Sequence, residues 1–340
     1  MKEFEKTNRV FAALGVLAII ISLIAVLTFT HSVGAAKSGV EDDAPASVSK
    51  SRYTYLVLGK DRVSGLTDVM MLVSIDTAGK RAGIVQIPRD TYAKYSDKGY
   101  RKFNGALATL GADGLCRFVE ENLGVLLDGY FIFDLDTVVK AVDMLGGVEI
   151  NIPDDMYYRD EAQGLDISLK KGIQRLDGRA AENFVRYRFG YLRGDLGRID
   201  AQKLFISALI QQVKSTLTPA KAIKIASVLL KDVRTDVKMT QVASLIFSVF
   251  DIEENDILLV TLAGEDIKSD VSGAWYYVVS KGSAESILKD VLCADVEFDK
   301  DGVFRNEDDQ SFERIYFSNP DYEAKTLQDI AQNGIEIEKR

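Results

Sequence analysis

Four arginines crowd into a short span of this chain, Arg186, Arg188, Arg193 and Arg198, with Gln202 following the last by four residues. Guanidinium groups stay charged and present a planar donor fork that matches phosphate oxygens. Asp177 is a good N-cap, and Ala180, Phe184 and Tyr187 recur at helical spacing, which predicts a short helix over 178–187 with Arg186 in its last turn. After a glycine-containing loop, Asp195 reads as the N-cap of a longer helix. Its apolar positions Ile206, Leu209, Ile210, Val213 and Leu217 keep one face, and it ends before Pro219. Arg198 and Gln202 share a face in its first turns, where unpaired N–H groups and the macrodipole favour an anion. The pattern suggests a phosphate or pyrophosphate site. A salt-bridged surface, with Glu182, Asp195 and Asp200 as partners, is the alternative that the residues alone leave open.

Carboxylates gather elsewhere. A β-rich run ends in Gly59-Lys60-Asp61-Arg62, and Thr67-Asp68 heads the next run. If the two strands pair, Asp61 and Asp68 approach across their loop and can share a hard cation such as Mg²⁺; capping aspartates in a turn are the competing reading. Ile87-Pro88-Arg89-Asp90-Thr91 closes a third strand, and Lys102-Phe103-Asn104 follows. Because sites in α/β sheets form beyond strand ends, these residues are expected beside the same pocket. His31 is the one histidine and lies beside the apolar N-terminal segment, which removes histidine-dependent nucleophiles and histidine metal sites from the globular part. Cys116 and Cys293 show no zinc spacing, and whether they pair is left open.

The elements that must position these groups alternate. Strands are expected at 53–58, 69–75, 82–87, 130–133, 148–152, 258–262 and 275–279. One helix face is made by Leu115, Phe118, Val119 and Leu123 after a cap at Asp113, and another by Val138, Val139, Val142 and Leu145, ending at Gly146-Gly147. Further helices are expected at 220–230, 240–250 and 283–292. The alternation indicates an α/β layered domain. With 340 residues and 47% hydrophobic content, the chain can bury a sizeable core. Its net charge of -9 argues against a nucleic-acid partner. Most of the acidity sits in residues 293–340, expected to be an acidic tail in which Asp301-Gly302 forms a hairpin turn.

Residues 10–30 carry no charge and are long enough to cross a hydrocarbon layer of about 30 Å as a helix. Lys2, Lys6 and Arg9 precede this run, which places residues 1–9 in the cytoplasm and everything after the anchor outside the membrane. A cleaved signal peptide is the rival, disfavoured by the length of the run. Residues 31–51 read as a solvated stem, and the domain is expected over 52–292.

Several blocks occur in an order that resembles the LytR-CpsA-Psr family of bacterial cell-wall proteins: YLVLGKDR (55–62), LTDVMMLVSID (66–76), IPRDTY (87–92), KFNGA (102–106), DMLGGVEI (143–150), RLDGRAAENFVRYR (175–188) and DLGRID (195–200). The resemblance implies a three-layer α/β/α sandwich with a central mixed sheet. It also implies a phosphotransferase that moves a glycan polymer, such as a teichoic acid or capsule, from a polyprenyl-pyrophosphate carrier to peptidoglycan through a phosphodiester. By the same resemblance Asp61 and Asp68 match metal-linked aspartates for Mg²⁺, while Arg89, Arg186, Arg188, Arg198 and Gln202 match the pyrophosphate-binding set. Asp61, Asp68 and Asp90 are candidates for the general base, and Asp90 alternatively orients Arg89. The chain departs from the family pattern by reading Asp61-Arg62-Val63 for Asp-Ser-Arg, and Leu66-Thr67-Asp68 for Arg-Ser/Thr-Asp. A polyprenyl hydrolase and a non-catalytic, carrier-binding scaffold are the rival functions. A lipid carrier also calls for an apolar cavity, expected along Leu115, Phe118 and Val119, Val138, Val139 and Val142, or Leu204, Phe205, Leu209 and Ile210.

Overall fold

The computed structural model describes residues 50–60, 65–95, 102–161, 165–269, 272–294 and 322–338, together with Val296 and Phe304. The expected membrane helix, Asp61 and the Asp301-Gly302 turn lie outside the described residues, among which no helix is long and apolar enough to cross a membrane.

The chain opens with an antiparallel meander, β1 (Arg52–Lys60), β2 (Thr67–Asp76) and β3 (Arg81–Gln86). Helix α1 (Ala106–Leu123) leads to β4 (Gly129–Phe133), which pairs in parallel with β1. After α2 (Leu135–Met144) come four short strands, β5 (Val148–Ile152), β6 (Met156–Asp160), β7 (Leu165–Leu169) and β8 (Gly172–Leu176). They form two small antiparallel ribbons, β5 with β8 and β6 with β7. Helices α3 (Gly178–Arg186), α4 (Asp195–Thr216) and α5 (Pro219–Leu229) follow, then the edge strand β9 (Arg234–Thr235) and α6 (Met239–Phe250). Strand β10 (Ile257–Thr261) pairs in parallel with β3, β11 (Gly264–Lys268) pairs with β12 (Trp275–Val279), and α7 (Lys281–Leu292) packs behind the sheet. Last come β13 (Lys325–Thr326) and α8 (Leu327–Asn333).

The described central sheet is mixed, in the order β13-β10-β3-β2-β1-β4-β9. Period-two alternation sends its side chains into two cores. Tyr55, Val57, Met71 and Val73 face α2 to α6, whereas Leu56, Leu58, Met70 and Leu72 face α1 and α7. The result is an α/β/α sandwich.

The layering divides the expected apolar linings between two cores. Leu115, Phe118 and Val119 belong to the core on one side of the sheet, and Val138, Val142, Leu204, Phe205, Leu209 and Ile210 to the core on the other, so the sheet separates them. Helix α1 also begins at Ala106 rather than after Asp113. A break in its dihedrals at Gly111, where φ is 70°, separates an earlier stretch from the turns that carry Leu115 and Val119.

Part of the acidic C-terminal segment belongs to the domain. Lys325 and Thr326 extend the sheet beside β10, and Leu327 and Ile330 of α8 are buried in the same core as α4. Thr326 and Asp329 form a reciprocal capping box that fixes the start of α8. Two apolar residues at helical spacing sufficed to anchor a stretch that is otherwise charged. Both cysteines are free and half-buried. Leu327→Ala should lower stability by about 3 kcal/mol, measured by urea unfolding, whereas Glu323→Gln on the exposed side of the segment should leave it unchanged.

Candidate functional site

Arg89 is placed by the exit of β3. Pro88 opens a turn in which the Thr91 N–H donates to the Pro88 carbonyl (3.0 Å), and the Asn104 N–H donates to the Arg89 carbonyl (3.1 Å). Arg186 is the last residue of α3, whose start is fixed by Asp177 accepting the Ala180 N–H (2.8 Å). The chain then turns extended at Tyr187, releasing Arg188 into the loop. Gly194 ends that loop with φ 52° and ψ -106°, a conformation that favours glycine. Gly197 lets α4 approach the ring of Tyr191, since a Cβ there would stand 2.6 Å from the Tyr191 Cβ.

Asp195 does not cap α4. It occupies the first turn behind Gly194, and its side chain makes no capping bond. Its carboxylate lies instead between two guanidiniums, 3.5 Å from Arg89 Nε and 2.6 Å from Arg198 Nη2. Arg89 Nη1 donates to Asp68 Oδ1 at 2.7 Å, and Arg186 Nη1 to Glu182 Oε1 at 3.0 Å. Arg179 pairs with the other oxygen of Glu182. Asp200 turns away to Lys203 (3.0 Å). Salt bridges with Glu182 and Asp195 are therefore present, as the alternative reading expected, but around buried arginines rather than on a solvated surface.

Arg89, Arg186, Arg188 and Arg198 line one cavity of about 250 Å³, with Tyr158, Leu165 and Phe189 completing its wall. Four of the five residues expected to bind pyrophosphate thus meet. Gln202, the fifth, is buried one turn below Arg198 and is not part of this lining. Asp90 stands beside the cavity, 3.9 Å from Arg89 and 3.1 Å from Lys102 Nζ. Tyr158 and Leu165 come from β6 and β7, which the sequence reading passed over. Phe189 stacks at a tilt on Tyr158, with ring centroids 5.3 Å apart, yet remains 64% exposed.

Burial sets the electrostatics. Arg198 is 2% exposed, and loss of water pulls its pKa below the ordinary guanidinium value, with Asp195 opposing. The same desolvation lowers Arg186 against the pull of Glu182. For Arg89 burial works against the charge, but Asp195, Asp68 and Asp90 together raise its pKa above the usual range. Asp68 is pushed up by burial, and Arg198 and Arg89 offset this only in part. A buried, positively lined cavity of this kind holds an anion more strongly than a surface patch does.

Asp68 Oδ2 is buried without a hydrogen-bond partner among the described residues. One free carboxylate oxygen beside the cavity arginines fits Mg²⁺, which takes one or two carboxylates and completes its shell with water and phosphate oxygens. No cluster of three or more metal-ligating side chains occurs among the described residues.

The guanidiniums thus collect beyond the strand ends of a mixed α/β/α sheet, where sites form in open α/β folds. The LytR_cpsA_psr family model matches residues 23–291, and the chain belongs to that family. It is 30% identical over 234 residues to the polyisoprenyl-teichoic acid–peptidoglycan teichoic acid transferase TagV of Bacillus subtilis, a match covering 66% of this chain and 59% of that protein. The chain thus spans less than two thirds of that relative. TagU of Oceanobacillus iheyensis, which carries the same transferase name, is 29% identical over 68% of this chain and 72% of its own. The crystal structure of B. subtilis TagV superposes with a TM-score of 0.62 at 26% identity, covering 72% of this chain and 98% of that one.

Removing Glu182 strands Arg186 in a buried setting. Glu182→Ala should destabilise the protein by about 3 kcal/mol, read by chemical denaturation, and Glu182→Gln by less because it keeps an acceptor.

Proposed function

We propose that the protein is a wall glycopolymer transferase that moves a glycan polymer from a polyprenyl-pyrophosphate carrier to peptidoglycan through a phosphodiester. The observation that carries this reading is the convergence of Arg89, Arg186, Arg188 and Arg198 on one cavity. The transferase names of TagV and TagU support the same class.

In this mechanism the arginines bind the diphosphate of the donor. A hydroxyl oxygen of the acceptor bonds to the phosphorus that carries the glycan, and the bond from that phosphorus to polyprenyl phosphate breaks. Fixed guanidiniums stabilise the charge that grows on the leaving phosphate without having to reorganise. The hydroxyl proton passes to a carboxylate. Of those described, Asp68 and Asp90 lie against Arg89 and are the candidates. Asp68, with Asp61, would hold Mg²⁺, which supplies further charge neutralisation on phosphate oxygens. Tyr158, Leu165 and Phe189 offer an apolar lip for the first prenyl units. Residues 10–30 would anchor the domain on the outer face of the membrane, where both substrates meet.

Arg89→Lys, Arg186→Lys and Arg198→Lys should each lower transfer at least about tenfold, because a point charge cannot replace a bidentate fork; free substitution by lysine at all three would reduce the cavity to a charged surface. Asp68→Ala should weaken Mg²⁺-dependent transfer, and an unchanged Mg²⁺ titration would remove the metal assignment. Affinity for geranyl, farnesyl and longer pyrophosphates should rise with chain length, as each buried methylene adds about 0.8 kcal/mol, until the lip is covered. Equal affinity across the series would limit recognition to the head group. Protease added outside wall-stripped cells should remove the domain, and its protection would overturn the orientation. A glycan-peptidoglycan product, rather than free phosphate, separates transfer from hydrolysis, and turnover itself separates both from a binding scaffold.

A further inference from the structure

A second cavity, of about 410 Å³, lies across the first turns of α4 from the arginine cavity. Leu196 and Asp200 line it, each two residues from Arg198 and so about 200° around the helix. Its other walls are the end of β10 with the chain just beyond, Tyr277 of β12, and the C-terminal segment from Tyr322 to Glu336.

The chemistry of this cavity differs from that of the first. Arg193, Lys203 and Lys325 are matched by Asp200, Glu323 and Glu336, so the lining is neutral in sum. Four of these six form two internal pairs, Lys203 with Asp200 (3.0 Å) and Lys325 with Glu323 (3.3 Å). A polyanion gains little here, whereas a neutral ligand rich in donors and acceptors meets a rim of both. Thr261 Oγ1, in the wall, is buried without a hydrogen-bond partner among the described residues. So is Oε1 of Gln86, its register partner on β3. Tyr322 adds a flat face against which the C–H face of a sugar ring can pack, held by its hydroxyl to Asp290 (2.6 Å), while the buried Tyr277, bonded to the Leu262 carbonyl (2.9 Å), closes the cavity behind.

Asp90 lines neither cavity but adjoins one wall residue of each. Its side chain lies beside Arg89 of the first, and its carbonyl accepts the N–H of Tyr277 of the second at 2.9 Å. We propose that the second cavity binds the acceptor, a neutral glycan strand, with its reacting hydroxyl toward Asp90. The proposal rests on the transferase reading and adds the place and class of the acceptor.

The test uses the full chain in detergent micelles with a β-1,4-linked tetramer of N-acetylglucosamine as probe, titrated by calorimetry with farnesyl pyrophosphate and Mg²⁺ present. Wild type should bind the tetramer. Thr261→Val, which removes the orphan hydroxyl, should weaken that binding about tenfold, and Thr261→Ser should restore it. Tyr322→Ala, on the opposite wall, should weaken it about fivefold. Farnesyl pyrophosphate affinity, titrated separately, should be the same in all of them. Absence of tetramer binding by wild type, or equal affinity in Thr261→Val and Tyr322→Ala, would overturn the proposal while leaving the arginine site standing. If farnesyl pyrophosphate fails to bind wild type, the transferase reading falls, and the saccharide site is decided by the tetramer titration without it.

Discussion

An alternating row of charges, Asp68, Arg89, Asp195 and Arg198, holds the site together where water is largely excluded. Each member of the row comes from a different part of the chain or a different turn: β2, the exit of β3, and the start of α4. Burying any one of these charges alone is costly, and pairing them makes the arrangement tolerable rather than strongly stabilising. What it secures is geometry. The guanidiniums are set before any anion arrives, so binding need not order them. Carboxylates thus hold the guanidinium forks in place and leave part of their donor capacity free, such as Arg198 Nε.

The sheet explains why the site forms where it does. β3 and β10 run in parallel, and both end beside the first turns of α4. The Leu262 N–H donates to the Gln86 carbonyl just past the paired stretch (2.9 Å), which keeps the two exits together. Arg89 leaves one exit and Thr261 marks the other, so one helix start separates a charged cavity from a neutral one.

Much of this was legible in the residues. Asp177 as a cap, Arg186 in a last turn, and arginines before an amphipathic helix are local patterns, and local patterns survive folding when nothing competes with them. Asp195 misled because a capping residue and a buried counter-ion look alike in sequence, and tertiary contact with Arg89 decided between them. Tyr158 and Leu165 were missed because β6 and β7 are short strands rich in polar residues, although Leu165, Ile167 and Leu169 do alternate with Asp166 and Ser168. The helix faces expected to line a lipid cavity divide between the two cores. Apolar helix faces announce burial, but which side of a sheet they cover is a property of the topology. The acidic C-terminal segment likewise hid Leu327 and Ile330, whose partners on α4 lie far back in the chain.

That distant segment also reaches the arginine loop, where the Leu192 N–H donates to the Glu338 carbonyl at 2.8 Å. Closing so long a stretch of chain costs entropy, and the burial of Leu327 and Ile330 against α4 offsets it before Glu338 is reached, so the loop that carries Arg193 is tied to the core through the C-terminal segment.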